Sequence, residues 1–228
     1  MYRVAADDAS FRDGLDRLKQ NGSALLVVGD VPDECYAEAS HRMLGDTDHA
    51  ARRRVVVVDE DTPPGLANRL SAPTASANGS LHLISHDSTA RNAVESAPTV
   101  TSDARTTHVP ADDLESVGEA VLSAIDEGET GTFDPAELRL GVDTVGTLLD
   151  AGDEFPVFRL VDFLARRVRT LGGMAHFRLA RSRDAYHTRL LEPLFDAVVE
   201  LRLNGGMVEQ RWELLADDIH SEWIPLDA

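Results

Sequence analysis

Apolar positions along the chain change period in a way that alternates strands with helices. Residues 7–20 place Phe11, Leu15 and Leu18 at helical spacing, with Asp8 or Ser10 as caps, and Asn21-Gly22 ends that helix. Ala24–Val28 is an unbroken apolar run of strand length, the pattern of a parallel strand covered on both faces. Asp33–Leu44 reads as a helix with Tyr36, Ala39 and Met43 facing the core. Asp30 is its predicted N-cap, Pro32 a first-turn proline, and Asp33 and Glu34 first-turn acids. Arg52–Glu60 is the second strand, Leu81–Ser85 a short third, and Thr106–Val109 an edge strand. Between them Ser71–Ser80 reads as a loop, and Asp87–Pro98 has room for a helical turn or two.

The second half repeats the alternation. Asp112 or Asp113 caps a helix running through Ile125, with Leu114, Val117, Val121, Leu122 and Ile125 on one stripe. A strand written Leu138–Val145 carries Asp143 at its carboxyl end. Helix Phe155–Leu171 is predicted to bury Phe158, Val161, Phe163, Leu164, Val168 and Leu171. Then come strand Met174–Leu179, helix Ala185–Phe195 capped by Asp184, and strand Asp196–Leu203. Asn204-Gly205-Gly206 between alternating runs predicts a hairpin to Met207–Leu214, and a short piece around Trp223–Leu226 finishes the chain. The expected fold is a three-layer α/β domain with a mostly parallel central sheet and a C-terminal antiparallel β-hairpin. Its 228 residues, 43% of them hydrophobic, suffice for one domain: an N-terminal helix (1–21), an α/β core (22–203) and the terminal hairpin (204–228).

Charge narrows the class. Forty Asp and Glu against 22 Lys and Arg give a formal net charge of −18, and Lys19 is the only lysine. A surface so acidic and lysine-poor resembles those of proteins from salt-loving archaea, where concentrated salt screens the repulsion within a few ångströms. Cys35 is the single cysteine, so an internal disulfide and a cysteine-built metal site are excluded. No apolar run approaches a membrane span, and Met1–Asp8 lacks a signal-peptide core, which leads to the expectation of a soluble cytoplasmic protein.

The turn at Gly29, between strand and helix, is where α/β proteins place a phosphate loop. The pattern G-x-x-x-x-G-K-[ST] wraps phosphates in glycine backbone, neutralises them with lysine and holds magnesium with a hydroxyl. From Gly29 the second glycine falls on Glu34, the lysine on Cys35 and the hydroxyl on Tyr36. Asp30, Asp33, Glu34, Asp59, Glu60 and Asp143 then gather around that position with no lysine, the wrong sign for phosphoryl transfer.

Other motifs are weaker. His82 and His86 stand four apart, in a predicted strand-to-loop region rather than on a helix face, and no H-E-x-x-H occurs. Cys35 sits beside acids with no cationic activator, which disfavours its thiolate. Arg166, Arg167, Arg169, Arg178, Arg181 and Arg183 are either an anion or DNA patch, or partners of the acidic surface; the second is favoured.

The order of landmarks from Gly22 to Leu226 resembles a RecA/KaiC-type ATPase core, in its short, degenerate haloarchaeal form. The carrying stretches are Leu25-Leu-Val-Val-Gly29 before a helix and Leu140-Gly-Val-Asp143-Thr-Val. With them go Phe155–Leu164, Arg169-Thr-Leu-Gly-Gly-Met, Pro193–Leu201 and the final hairpin. The resemblance implies a strand-end aspartate for magnesium at Asp143 and a water-polarising glutamate near Glu60 or Asp59. With the phosphate loop lost, Gly29, Asp143 and Glu60 become vestigial cofactor-binding positions, and no catalytic residue, metal or cofactor is expected. The expected role is a non-catalytic regulatory or signalling module whose partner is a protein, itself or an active relative, with no membrane and no nucleic acid. The alternatives are an ATPase with an atypical loop and a recombinase-paralogue accessory of DNA.

Overall fold

The structure, a computed structural model, describes residues 8–45, 52–59, 79–87, 104–110, 113–127 and 133–226. Helix α1 (Asp8–Asn21) leads into β1 (Ser23–Gly29), α2 (Asp33–Leu44) and β2 (Arg52–Val58). Strands β3 (Gly79–Asp87) and β4 (Ala104–Pro110), helix α3 (Leu114–Asp126) and β5 (Leu138–Val142) follow. Helices α4 (Val145–Ala151) and α5 (Glu154–Thr170) precede β6 (Met174–Leu179). Helix α6 (Tyr186–Leu191), a 3₁₀ turn at Glu192–Leu194, β7 (Ala197–Asn204), β8 (Met207–Leu214), β9 (Ile219–His220) and β10 (Ile224–Pro225) complete the chain.

All ten strands form one sheet, ordered β10-β8-β7-β1-β6-β5-β2-β3-β4, with β9 paired to β8. From β7 to β4 every pairing is parallel, and β8, β9 and β10 add antiparallel pairings beyond β7. The sheet is thus mostly parallel, with the expected antiparallel hairpin turned by Gly205 and Gly206 at φ of 59° and 86°. Strand β4 lies at the sheet's edge, as its short, polar sequence predicts.

Side chains along the strands alternate between two covered faces, which fixes the layers. Val28, Val55, Val57, Leu140, Phe177 and Val198 point to one face, where α3, α4 and α5 cover the largest core through Val121, Leu148, Val161 and Leu164. Leu25, Val27, Val56, Val199 and Leu201 point to the other, where α1 and α2 pack through Leu15, Leu18, Tyr36, Ala37 and Ala39. No helix among the described residues is long and apolar enough to cross a membrane.

Several sequence expectations need correction. Val145 does not extend β5; it opens α4, because the chain turns at Asp143-Thr144 and the apolar residues that follow bury on a helical period. Phe163 is 45% exposed on the solvent side of α5, since Leu160, Val161, Leu164 and Ala165 already fill the stripe facing the sheet. Helix α2 has Pro32, not Asp30, at its N-cap, and no side chain caps it. Helix α6 starts at Tyr186 without the Asp184 cap and gives way to 3₁₀ geometry at Glu192-Pro193. Gly79 and Ser80 belong to β3 rather than to the preceding loop; residues 71–78 and 88–98 lie outside the described residues.

One core group titrates. On the α2 face His176 is buried, and its Nε2 lies 2.7 Å from Ser40 Oγ. Burial, and then the charge of Arg139, push its pKa down from 6.5 to about 3, so the folded protein holds the imidazole neutral. Because the folded-state pKa is depressed, the unfolded chain takes up the proton first. Stability from this residue is complete above about pH 6.5 and is lost as pH falls toward 3. Between pH 7 and pH 5 the wild type should therefore lose about 2 kcal/mol more stability than His176→Gln in guanidinium titrations. Parallel pH profiles for the two proteins would refute a neutral buried His176.

Candidate functional site

The polarity of the connections marks one crevice. From β1 the chain leaves through α2 toward β2, while from β6 it leaves through α6 in the opposite direction, to β7. Adjacent parallel strands whose connections run in opposite directions mark a switch in the winding of the sheet, and ligands of open α/β sheets collect at the carboxyl ends there. Gly29 ends β1, Arg178-Leu179 ends β6, and Asp143 follows β5 on the next strand over.

This cleft is filled from within. The Arg178 guanidinium donates to Asp33 in the first turn of α2 and, through Nη1, to Asp143 Oδ2 at 3.1 Å. It also lies over the Tyr36 ring, 4.8 Å from its centroid. Tyr36 fills the space beneath the turn and donates its hydroxyl to Gly29 O at 2.6 Å. Burial holds that phenol protonated far above its ordinary range, against the pull of Arg178. Asp143 and Arg178 are themselves buried, with side chains 5% and 11% exposed. The cation that sequence reading found missing here is thus present. It is an arginine from β6 rather than a lysine in the loop, and it is spent on two carboxylates.

Gly29 has a packing reason to be glycine. Its φ of +152° and its contact with β7 leave no room for a side chain: a Cβ there would stand 2.4 Å from Leu201 O. Its amide donates to Arg181 O at 2.8 Å, joining the ends of β1 and β6. Asp33 is turned to Arg178 rather than to the amides of its own helix, so the expectation that carboxylates cap those amides is corrected.

Asp143 stands where its sequence position suggests, its amide donating to Val57 O at 3.0 Å. Asp59 follows β2, next to β5 in the sheet, while Glu60 lies outside the described residues. Among the described residues Arg178 Nε and Thr144 Oγ1 are buried at this crevice without a hydrogen-bond partner. Sequence reading missed Arg178 as a site residue, although an arginine inside an apolar strand of this length was a signal.

The remaining candidates disperse. His82 and His86 both lie on β3, four residues apart, which separates them by roughly 13 Å along a strand. His82 contacts Thr107 Oγ1 at 2.8 Å. Cys35 is buried and free, its thiol pushed up by burial and by Glu34. The six arginines all meet acids: Arg166 with Asp162, Arg167 with Asp126, Arg169 with Asp196, Arg178 as above, Arg181 with Asp150, and Arg183 with Glu192 and Glu213.

The fold and crevice define a three-layer α/β protein built around a switch point closed by its own side chains. The chain belongs to a family of unknown function, DUF7504, whose model matches residues 22–201, from the start of β1 to the middle of β7. No curated protein matches the sequence.

Two outcomes test this geometry. Arg178→Met leaves Asp143 buried without its countercharge and should destabilise the protein by about 3 kcal/mol; adding Asp143→Asn should recover most of the loss in denaturant titrations. Additive losses in the double variant would show that the two residues do not act as a pair. Gly29→Ala should cost about 2 kcal/mol or more through its backbone conformation and the Leu201 contact, and a variant as stable as wild type would remove the packing reason for this glycine.

Proposed function

We propose that this is a non-catalytic RecA/KaiC-like domain, a pseudo-ATPase that acts as a regulatory or signalling protein-interaction module in the cytoplasm of a salt-loving archaeon. The observation that supports it is the bridge from Asp33 through Arg178 to Asp143, which occupies the carboxyl-end crevice with an internally paired ion cluster. A triphosphate entering there would have to displace two carboxylates from their arginine and would find acidic Asp30, Asp33 and Glu34 at the mouth. A strand-end aspartate tied to arginine is poorly disposed to order magnesium.

Contact with protein is favoured by the surface. Phe155 and Phe163 on α5 and Tyr186 at the start of α6 are 65%, 45% and 65% exposed. Tyr186 reaches the start of α5 through a 3.2 Å hydrogen bond to Glu154, the residue before Phe155, and exposed aromatic side chains are favoured in contacts between proteins. Arginines already held by carboxylates speak against a nucleic-acid face, because phosphate binding draws on uncompensated cations. The partner we favour is a second copy of the domain or an active relative.

A second reading, an ATPase with an atypical phosphate loop, has one observation in its favour. Arg178 Nε and Thr144 Oγ1 are buried polar atoms at the crevice that a nucleotide-bound magnesium shell could engage. Calorimetric titration with ATP and Mg²⁺ in about 2 M KCl, where an acidic surface is screened, separates the two. The expected result is no saturable heat and no thermal shift. Saturable binding that Asp143→Ala abolishes would replace the pseudo-enzyme with the ATPase.

A further inference from the structure

The opposite end of the sheet carries a second, independent feature. At the amino ends of β1, β5 and β6, between α1, the last turns of α2 and β8, lies a cavity of about 330 Å³. This is within the range of small-molecule sites. Its walls include Leu25, Met43, Met174 and Trp212. Among the described residues three cations, Lys19, Arg42 and Arg139, line it, and no carboxylate does. In a chain with 40 acids, 22 Lys and Arg, and a single lysine, that is a local reversal of charge.

Arg139 is the key residue. It rises from β5 beneath α2 and bonds only to neutral groups: Nε to Ala136 O at 2.9 Å, and Nη1 to Met43 O at 3.2 Å and Met174 Sδ at 2.9 Å. Among the described residues no carboxylate pairs with it, whereas Arg178, one strand away on the same face, has two. Burial, and then the nearby Arg52, hold the Arg139 pKa down to about 10, so the guanidinium stays charged at neutral pH in a place that disfavours charge. His176, also in the wall, is neutral and held by Ser40, and adds no countercharge. At the mouth, Lys19 and Arg42 are tied only to exposed acids of their own helices, Asp16 at 3.7 Å and Glu38 at 3.0 Å. Such exposed pairs exchange readily for another anion.

We propose that this cavity binds a small organic anion, a carboxylate or sulfonate on an apolar body. The acid group would pair with Arg139 and the body would lie against Met43, Met174 and Trp212. Arg139 Nη2, the guanidinium nitrogen not given to Ala136, Met43 or Met174, supplies the donors for the acid group, and the surrounding thioethers and indole supply adaptable apolar contact. The site is remote from the carboxyl-end crevice and does not depend on whether ATP binds there.

The test uses the full chain in about 2 M KCl and two fluorescent probes, anionic 8-anilinonaphthalene-1-sulfonate and neutral N-phenyl-1-naphthylamine, with decanoate as competitor. The sulfonate should bind saturably at one site per chain, at least tenfold tighter than the neutral probe, and decanoate should displace it. Arg139→Met should erase the preference for the anion, and Arg139→Lys should keep part of it. Arg42→Gln at the exposed rim, which leaves the core untouched, should weaken the sulfonate several-fold and the neutral probe hardly at all. Near-ultraviolet circular dichroism of Trp212 checks that each variant is folded. Absence of saturable binding, equal affinity for the two probes, or a preference that survives in both folded Arg139→Met and Arg42→Gln would overturn the proposal.

Discussion

The arrangement at the carboxyl end of the sheet depends on one guanidinium. Arg178 stands on a strand whose other face carries Phe177 and Leu179 into the main core, so its backbone is fixed by packing. From there it joins the start of α2 to the end of β5 through Asp33 and Asp143. Removing the Arg178 charge would take a countercharge from buried Asp143 and from half-exposed Asp33 together, whereas removing either carboxylate would leave Arg178 the other. Its effect is also geometric. With Tyr36 stacked beneath Arg178 and bonded to Gly29 O, the turn after β1 is held against the sheet and its carbonyl is committed. A turn held this way has no slack to wrap a ligand.

The surface follows a related logic. Arg166 and Arg167 on α5, Arg181 and Arg183 after β6 and Arg189 on α6 meet acids, as do the arginines of the β7–β8 hairpin, where Arg202 meets Glu209 and Arg211 meets Glu200. Trp223 lies between those two arginines, 4.0 and 4.7 Å from their guanidinium carbons. Exposed pairs of this kind add little stability individually. What they do is consume the positive charge, leaving the excess acid distributed over the rest of the surface. The net charge of −18 is therefore spread over the exterior, while many of the cations are locally engaged.

Much of this fold was legible from the sequence because its strongest signals are local. An unbroken run such as Ala24–Val28 has one way to satisfy its backbone and bury both faces, and Asp33–Leu44 was bounded at the observed residues. Asn204-Gly205-Gly206 supplies the positive φ angles that a tight hairpin needs, and the hairpin forms there. What escaped was decided by tertiary context. Thr144-Val145 continues a β-branched run and reads as strand, yet the crevice needs a turn at Asp143. Phe163 lies one residue from the buried stripe of α5, a distinction that periodicity blurs. The site was half legible. Gly29 was singled out as the turn after the first strand and Asp143 through a resemblance, but Arg178 lies 145 residues from Asp33 and 35 from Asp143, and no local pattern joins them. Only the order β1-β6-β5 brings the three together.

That strand order also sets the contrast between the two ends of the sheet. Arg139 and Arg178 sit on neighbouring strands, both facing α2, at opposite ends of that helix. At the start of α2 the helix brings Asp33, and β5 brings Asp143, so the arginine is doubly compensated and the space is closed. At its end, among the described residues, the helix brings the Met43 carbonyl and the rim arginine Arg42 and no carboxylate that pairs with the second arginine, which faces a cavity. Two chemically alike residues on one face of one sheet are thus put to opposite uses by what the same helix offers at its two ends. A sheet-end crevice filled by its own side chains need not leave the domain without a place for a ligand, because the other end of the sheet holds the cavity for which we propose an anion.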